Sequence, residues 1–164
     1  MGAVRVSVAW SAFEAAAPDI AAEGRTLLRR GGGDEGLLAT VRGDAPPRIH
    51  PVSVGIVDGR LLVFVLPSAK RTDLEADGRF ALHAHQDAAA PGEFSVRGRA
   101  VAVEEEAVRE RAARAWAFEV DGTYQLFELR LESAILGRRP TADDWPPRYS
   151  TWSSTLSEPR SGND

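Results

Sequence analysis

Hydrophobic and polar positions change period several times along this chain, and each change marks an element. Between Arg48 and Val57, residues Arg48, His50, Val52, Val54 and Ile56 alternate onto one face of an extended segment, which predicts a strand. Asp58-Gly59 follows, a two-residue hairpin signal between apolar runs. The next segment, Arg60 to Leu66, is almost wholly apolar and predicts a strand buried on both faces. Ser68 is placed to cap a short helix over Lys70 to Ala76, Asp77-Gly78 closes it, and Arg79 to His85 reads as another strand. Gln86 to Gly92 reads as a loop. Beyond it the apolar positions are even-numbered at Phe94 and Val96 but odd-numbered at Val101 and Val103. That slip around Gly98 predicts a β-bulge or sharp bend in a fifth strand.

The flanks are read the same way. Ser11 and Glu14 have capping-box spacing and predict a short helix. Pro18-Asp19 opens a second helix, Asp19 to Arg30, stopped by Gly31-Gly32-Gly33. Leu37, Ala39 and Val41 begin the first strand, and Gly43 to Pro47 is a turn. Glu104 to Trp116 predicts a helix with the stripe Val108, Ala112, Ala115 and Trp116, supported by Glu105–Arg109 and Glu110–Arg114 pairs. Phe127, Leu129 and Leu131 alternate with Glu128, Arg130 and Glu132, which predicts a half-exposed sixth strand. From Pro140 the periodicity decays into an expected extended arm carrying Trp145, Tyr149 and Trp152, with disorder after about Ser154. Six strands, tight hairpins and one bulge predict a mainly β, α+β fold: a small six-stranded antiparallel barrel with peripheral helices.

Length and charge narrow this picture. At 164 residues the chain is one domain's worth, divided into a helical segment over 1–34, a barrel over 35–139 and an arm over 140–164. No apolar run approaches the ~20 residues that span a bilayer, and no secretion signal is legible. There is no cysteine, so disulfides, thiolate metal sites and cysteine nucleophiles are excluded, and a cytoplasmic location is expected. The net charge is −4 and the basic residues are scattered, so neither nucleic acid nor membrane is an expected partner. Those basic residues are arginines with one exception, Lys70.

Two groups of residues carry candidate chemistry. Ser68-Ala69-Lys70-Arg71-Thr72 sits at a helix start directly after a buried strand, where a hydroxyl and two cations suit a phosphate. An ordinary cap with two solvated cations is the competing reading. Arg48 and His50 share a strand face and can both bond one ligand. His83 and His85 also share a face but have no third or fourth ligand in sight, so no metal is expected. No nucleophile elbow, phosphate loop or dinucleotide fingerprint is present. The aromatic tail could cover a ring system, a partner subunit or the domain itself.

The ordered set of segments resembles the FMN-binding split-barrel family, the pyridoxamine 5′-phosphate oxidase-like proteins. The resemblance rests on GLLATVR, on RIHPVSVGIVDG, on RLLVFVLPSAKRTDLEADGRFALHAH with its Ser-x-Lys and downstream Asp-Leu, and on the Gly-bent FSVRGRAVAVEE leading into a helix. It implies a six-stranded split barrel working as a homodimer, an oxidoreductase with FMN bound between subunits. It also implies that Arg48, Ile49, His50, Pro51, Val52 and Ser53 lie along the cofactor, and that Ser68, Lys70 and Arg71 hold its phosphate. The tail LGRRPTADDWPPRYSTWSS lacks the histidine of the family's pyridoxamine phosphate motif, so that substrate is not implied. Related split barrels bind a deazaflavin (factor 420), haem or biliverdin, which leaves a deazaflavin-dependent reductase and a non-enzymatic flavin, haem or pigment binder as alternatives.

Overall fold

A computed structural model describes residues 5–30, 33–87, 89 and 91–155. Its elements, in chain order, are α1 (Trp10–Ala16), α2 (Pro18–Leu28), β1 (Arg29–Arg30), β2 (Gly33–Thr40), β3 (Arg48–Val57), β4 (Arg60–Val65), α3 (Ala69–Ala76), β5 (Arg79–Ala84), β6 (Gly92–Ala102), α4 (Glu106–Ala115), β7 (Gln125–Arg138) and β8 (Arg148–Ser153). Strands β2, β3, β4, β7, β6 and β5 pair antiparallel in that order, and β5 returns to β2 through Leu38↔Leu82 and its neighbours. The sheet therefore closes into the expected six-stranded barrel, split where β3 from Arg48 to Val54 pairs with β2 alone.

Alternation explains the closure. Leu61, Val63 and Val65 of β4 point into the barrel core, while Leu62 and Phe64 point outward into a second cluster with Val108 and Ala112 of α4. A strand with a core on each side has no place for polar residues, so its apolar run reports two layers. At the β3–β4 connection, Asp58 and Gly59 have φ of 51° and 72°. Positive φ at both central residues is what a two-residue I′ hairpin demands. The slip read at Gly98 is real: pairing of β6 with β7 shifts register between Arg97 and Gly98.

Four expectations are corrected. Ser11 does not cap α1; Ala9 is the cap residue and no side chain caps it, because the helix begins at Trp10, two residues early. Strand β7 is not half exposed. Phe127, Leu129 and Leu131 face the core, and outward-facing Glu128 is itself buried beside Arg60 and Arg130, because β7 runs between β4, β6 and β8. The two α4 ion pairs do not form: Arg109 donates instead to the carbonyls of Asp121 and Tyr124, and Ala115 is exposed rather than part of the buried stripe. The arm, expected to be extended, carries a strand beyond the six foreseen. Arg148–Ser153 pairs with the second half of β7 as an outer strand, and Trp152 rests 4.9 Å from the Phe13 ring. The disorder expected at the C-terminus, like the Gly31-Gly32 part of the helix stop, lies outside the described residues.

Helices α1 and α2 plug one side of the barrel with Trp10, Phe13, Ala21 and Leu28. No helix is long and apolar enough to cross a membrane, judged over the described residues.

The bulge supplies a test. A Cβ at Gly98 would lie 1.8 Å from the Arg130 carbonyl oxygen, a backbone atom that cannot swing aside. Gly98→Ala should cost at least ~2 kcal/mol in urea unfolding. A variant within about 0.5 kcal/mol of wild type would show that β6 needs no glycine there.

Candidate functional site

The residues singled out on β3 divide between two surfaces. Arg48, His50 and Val52 lie on the face that continues into the core through Val54 and Ile56. Ile49, Pro51 and Ser53 lie on the outer face. Ile49 is 68% exposed, and the register sets it beside Ala39 and Pro51 beside Leu37. The neighbouring outer positions on β5 are Ala81 and His83. The outer barrel wall at this end is thus mostly apolar, with Ile49 and Pro51 exposed and Leu37, Ala39, Ala81 and His83 half-buried. Further along the same face, Ser53 and Gly55 border a groove of about 470 Å³ that Asp34, Glu35 and the Trp116 ring also line.

On the inner face the arrangement turns on the Asp of the Asp-Leu pair, to which the sequence reading gave no role. Asp73 of α3 is 1% exposed. Its Oδ2 accepts from Thr40 Oγ1 at 2.9 Å and from Arg48 Nε at 3.0 Å. Its Oδ1 accepts from Arg42 Nε and Nη2 at 3.1 and 3.0 Å. One carboxylate therefore joins the end of β2, the start of β3 and helix α3. Burial is the largest single influence on this group and would raise its pKa. The hydrogen bonds from Thr40, Arg42 and Arg48 together outweigh it and hold the carboxyl below its ordinary range. In sequence Asp73 looks like any acid on a charged helix. The one available signal was its position beside Leu74 on the buried side, with two arginines bracketing the turn at 43–47.

Lys70 lies three residues before Asp73 and so shares its helix face. Burial, then the positive charges of Lys70 and Arg48, press the His50 ring below its ordinary value, against a smaller upward pull from Asp73. His50 is neutral at pH 7, and its Nε2 is buried with no hydrogen-bond partner. The charges of Arg48 and Lys70 thus both act on the His50 ring.

Ser68 and Arg71 are placed differently. The Ser68 hydroxyl donates to Leu66 O at 2.9 Å and accepts from the Arg71 backbone N–H at 3.3 Å, capping α3 as its spacing implied. The Arg71 guanidinium donates to Glu75 at 2.8 Å and to the Thr123 carbonyl at 3.1 Å. Both are occupied within the fold and orient the turn that carries Lys70. His83 Nδ1 sits 2.5 Å from the Ala84 carbonyl oxygen. No group of three ligand-type side chains is gathered among the described residues.

The fold is that of the pyridoxamine 5′-phosphate oxidase-like split barrels. A haem-binding protein from Mycobacterium smegmatis superposes with a TM-score of 0.62 at 21% identity, covering 83% of this chain and 58% of that one. General stress protein 26 from Bacillus anthracis str. Sterne matches with a TM-score of 0.54 at 22% identity, over 70% of this chain and 91% of that one. A Clostridium acetobutylicum protein of the pyridoxinephosphate oxidase family, related to general stress protein 26 of B. subtilis, matches at 0.58 and 14% identity, over 80% and 92%. No family model matches the sequence, and no curated protein matches it.

Asp73 yields a pH-dependent prediction. A carboxyl whose folded pKa lies below its unfolded value contributes stability that is present above about pH 4 and lost as pH falls through the folded pKa. Asp73→Asn should lose about 2–4 kcal/mol at pH 7, and its deficit should shrink at pH 3. A deficit equal at both pH values in urea unfolding would contradict the ion-pair account.

Proposed function

We propose that this chain is an FMN-binding, oxidoreductase-like protein whose cofactor phosphate is held at the barrel mouth by Arg48 and Lys70. The observation that carries this reading is a surplus of positive charge around one buried carboxylate. Arg48 spends only Nε on Asp73, and its two terminal nitrogens have no hydrogen-bond partner among the described residues. Lys70 stands on the same helix face as Asp73, close enough to act on His50. Such a cluster fits an anionic group, and charge-assisted bonds to phosphate are among the strong ones. The unpartnered His50 Nε2 fits a second polar atom of the same ligand.

A bound flavin would supply hydride or electron transfer. The chain's own residues would bind and orient it. Ser68 would fix the turn that aims Lys70, and neutral His50 would offer one hydrogen bond without adding a third charge. The outer face of β3, with Ile49, Pro51 and Ser53, would lie along the ring. The exposed apolar wall around Ile49 also supports a homodimer, since a second copy covering it would bury the ring between subunits and exclude water. Lacking any constellation for acid–base work in the sequence, such a protein would leave the chemistry to its cofactor.

A second reading is favoured by one observation. The unprotonated nitrogen of a neutral histidine is also a haem ligand, so a haem-binding role here would use His50 once its buried Nε2 is uncovered.

Titration with FMN, the deazaflavin and haem, followed by fluorescence or absorbance, separates these readings. We expect saturable FMN binding at micromolar affinity or better. Lys70→Ala should weaken it by about one to two decades, the cost of a charge-assisted contact of roughly 1.5–3 kcal/mol. Unchanged affinity in Lys70→Ala would remove the phosphate assignment. Binding of haem but not FMN, abolished by His50→Ala, would replace the flavin reading with the second one.

A further inference from the structure

The cation surplus at the barrel mouth is larger than Arg48 and Lys70 alone. Arg42, just beyond the end of β2, reaches the same buried carboxylate through Nε and Nη2, which leaves Nη1 with no hydrogen-bond partner among the described residues. Its side chain is 46% exposed, as is that of Arg48, so both guanidiniums reach from the buried carboxylate to solvent. The pairs are made by different carboxylate oxygens, Oδ1 for Arg42 and Oδ2 for Arg48, so the two forks stand side by side on one anchor. A third donor, Thr40, fixes that anchor from within the barrel.

Two arginines need not share one acid if their only task is to neutralise it. Asp73 supplies one negative charge against Arg42, Arg48 and Lys70, and neutral His50 adds none. Two positive charges remain uncompensated within the cluster. Of the other nearby acids, Asp77 is paired with Arg79 at 2.6 Å and Glu75 with Arg71 at 2.8 Å, and Asp44 in the turn after Arg42 acts on Arg79. A phosphate monoester carries about −1.5 to −2 at pH 7 and presents three acceptor oxygens. The surplus matches that charge, and Arg42 Nη1 with the two terminal nitrogens of Arg48 supplies donors for those oxygens. Holding an arginine by a buried acid also removes much of its rotamer freedom in advance, so less entropy is lost when the anion arrives.

We propose that Arg42, held by Asp73 beside Arg48, is a third phosphate-binding cation, so that Arg42, Arg48 and Lys70 form one cradle for a phosphate monoester dianion. Asp73 is the positioning residue of that cradle and does not touch the ligand. The inference rests on the flavin reading above, because it takes the phosphate of FMN as the occupant.

The test compares FMN with riboflavin, which has the same ring and no phosphate, by fluorescence titration of the full chain. Arg42→Ala should weaken FMN at least tenfold and leave riboflavin affinity unchanged. Arg42→Lys, which keeps the charge but loses the fork, should fall between wild type and Arg42→Ala. Arg114→Ala, an exposed cation on α4, should bind FMN as wild type does. If wild type binds FMN and both Arg42 variants bind it equally well, the cradle is wrong while the flavin reading stands. Equal loss of FMN and riboflavin in the folded Arg42 variants would also overturn it, by showing a structural role. If wild type binds neither compound, the flavin reading fails and the inference falls with it.

Discussion

The buried carboxylate of Asp73 is the constraint on which the mouth of this barrel depends. A carboxylate removed from water costs several kcal/mol unless charge and hydrogen bonds replace its hydration. Here Thr40, Arg42 and Arg48 replace it, and each comes from a stretch of chain 25 to 33 residues before Asp73. The ion pairs therefore dock helix α3 against the β2 and β3 ends, where strand closure alone would leave it free to shift. In doing so they draw two guanidiniums onto one carboxylate, one helical turn from Lys70. The bonds that hold this end of the fold are thus the ones that position the proposed binding residues.

Closure of the sheet prepares that point. Strand β2 pairs with both β3 and β5, so its last residue, Thr40, is held from two sides, and Arg42 follows two residues on. The register shift at Gly98 bends β6 past β7, and such bends help six short strands close into a barrel. The layered core then separates two surfaces of β3. Its inner side carries charge to the mouth, and its outer side is mostly apolar, with Ile49 and Pro51 exposed. A ligand with a ring at one end and a phosphate at the other matches such a strand.

Much of the barrel was legible because its signals are local. The Asp58-Gly59 hairpin, the limits of β3, the two-sided burial of β4 and the bulge at Gly98 each follow from residues within a few positions of one another. The failures share a cause too. Strand β8 is ordered by pairing with β7, and Glu128 is buried by neighbours on both sides of β7; neither fact is written in the local pattern. The site was legible in part for the same reason. Lys70, Arg48 and His50 stood out by type and spacing, whereas Asp73 and Arg42 acquire meaning only once β2 and α3 are brought together. Arg71, which looked like a ligand residue beside Lys70, is drawn away by the distant Thr123 carbonyl.

The most direct measurement of the central claim is phosphorus NMR of FMN in the presence of excess protein, recorded from pH 5 to 8. Free phosphate monoesters change charge near pH 6, and their resonance moves with it. A phosphate gripped by the surplus cations around Asp73 is held as the dianion, so the account predicts a shifted resonance that stays fixed across this range. A resonance that titrates as free FMN does would show that the phosphate lies in solvent, and that the cationic mouth is not where this protein holds its ligand.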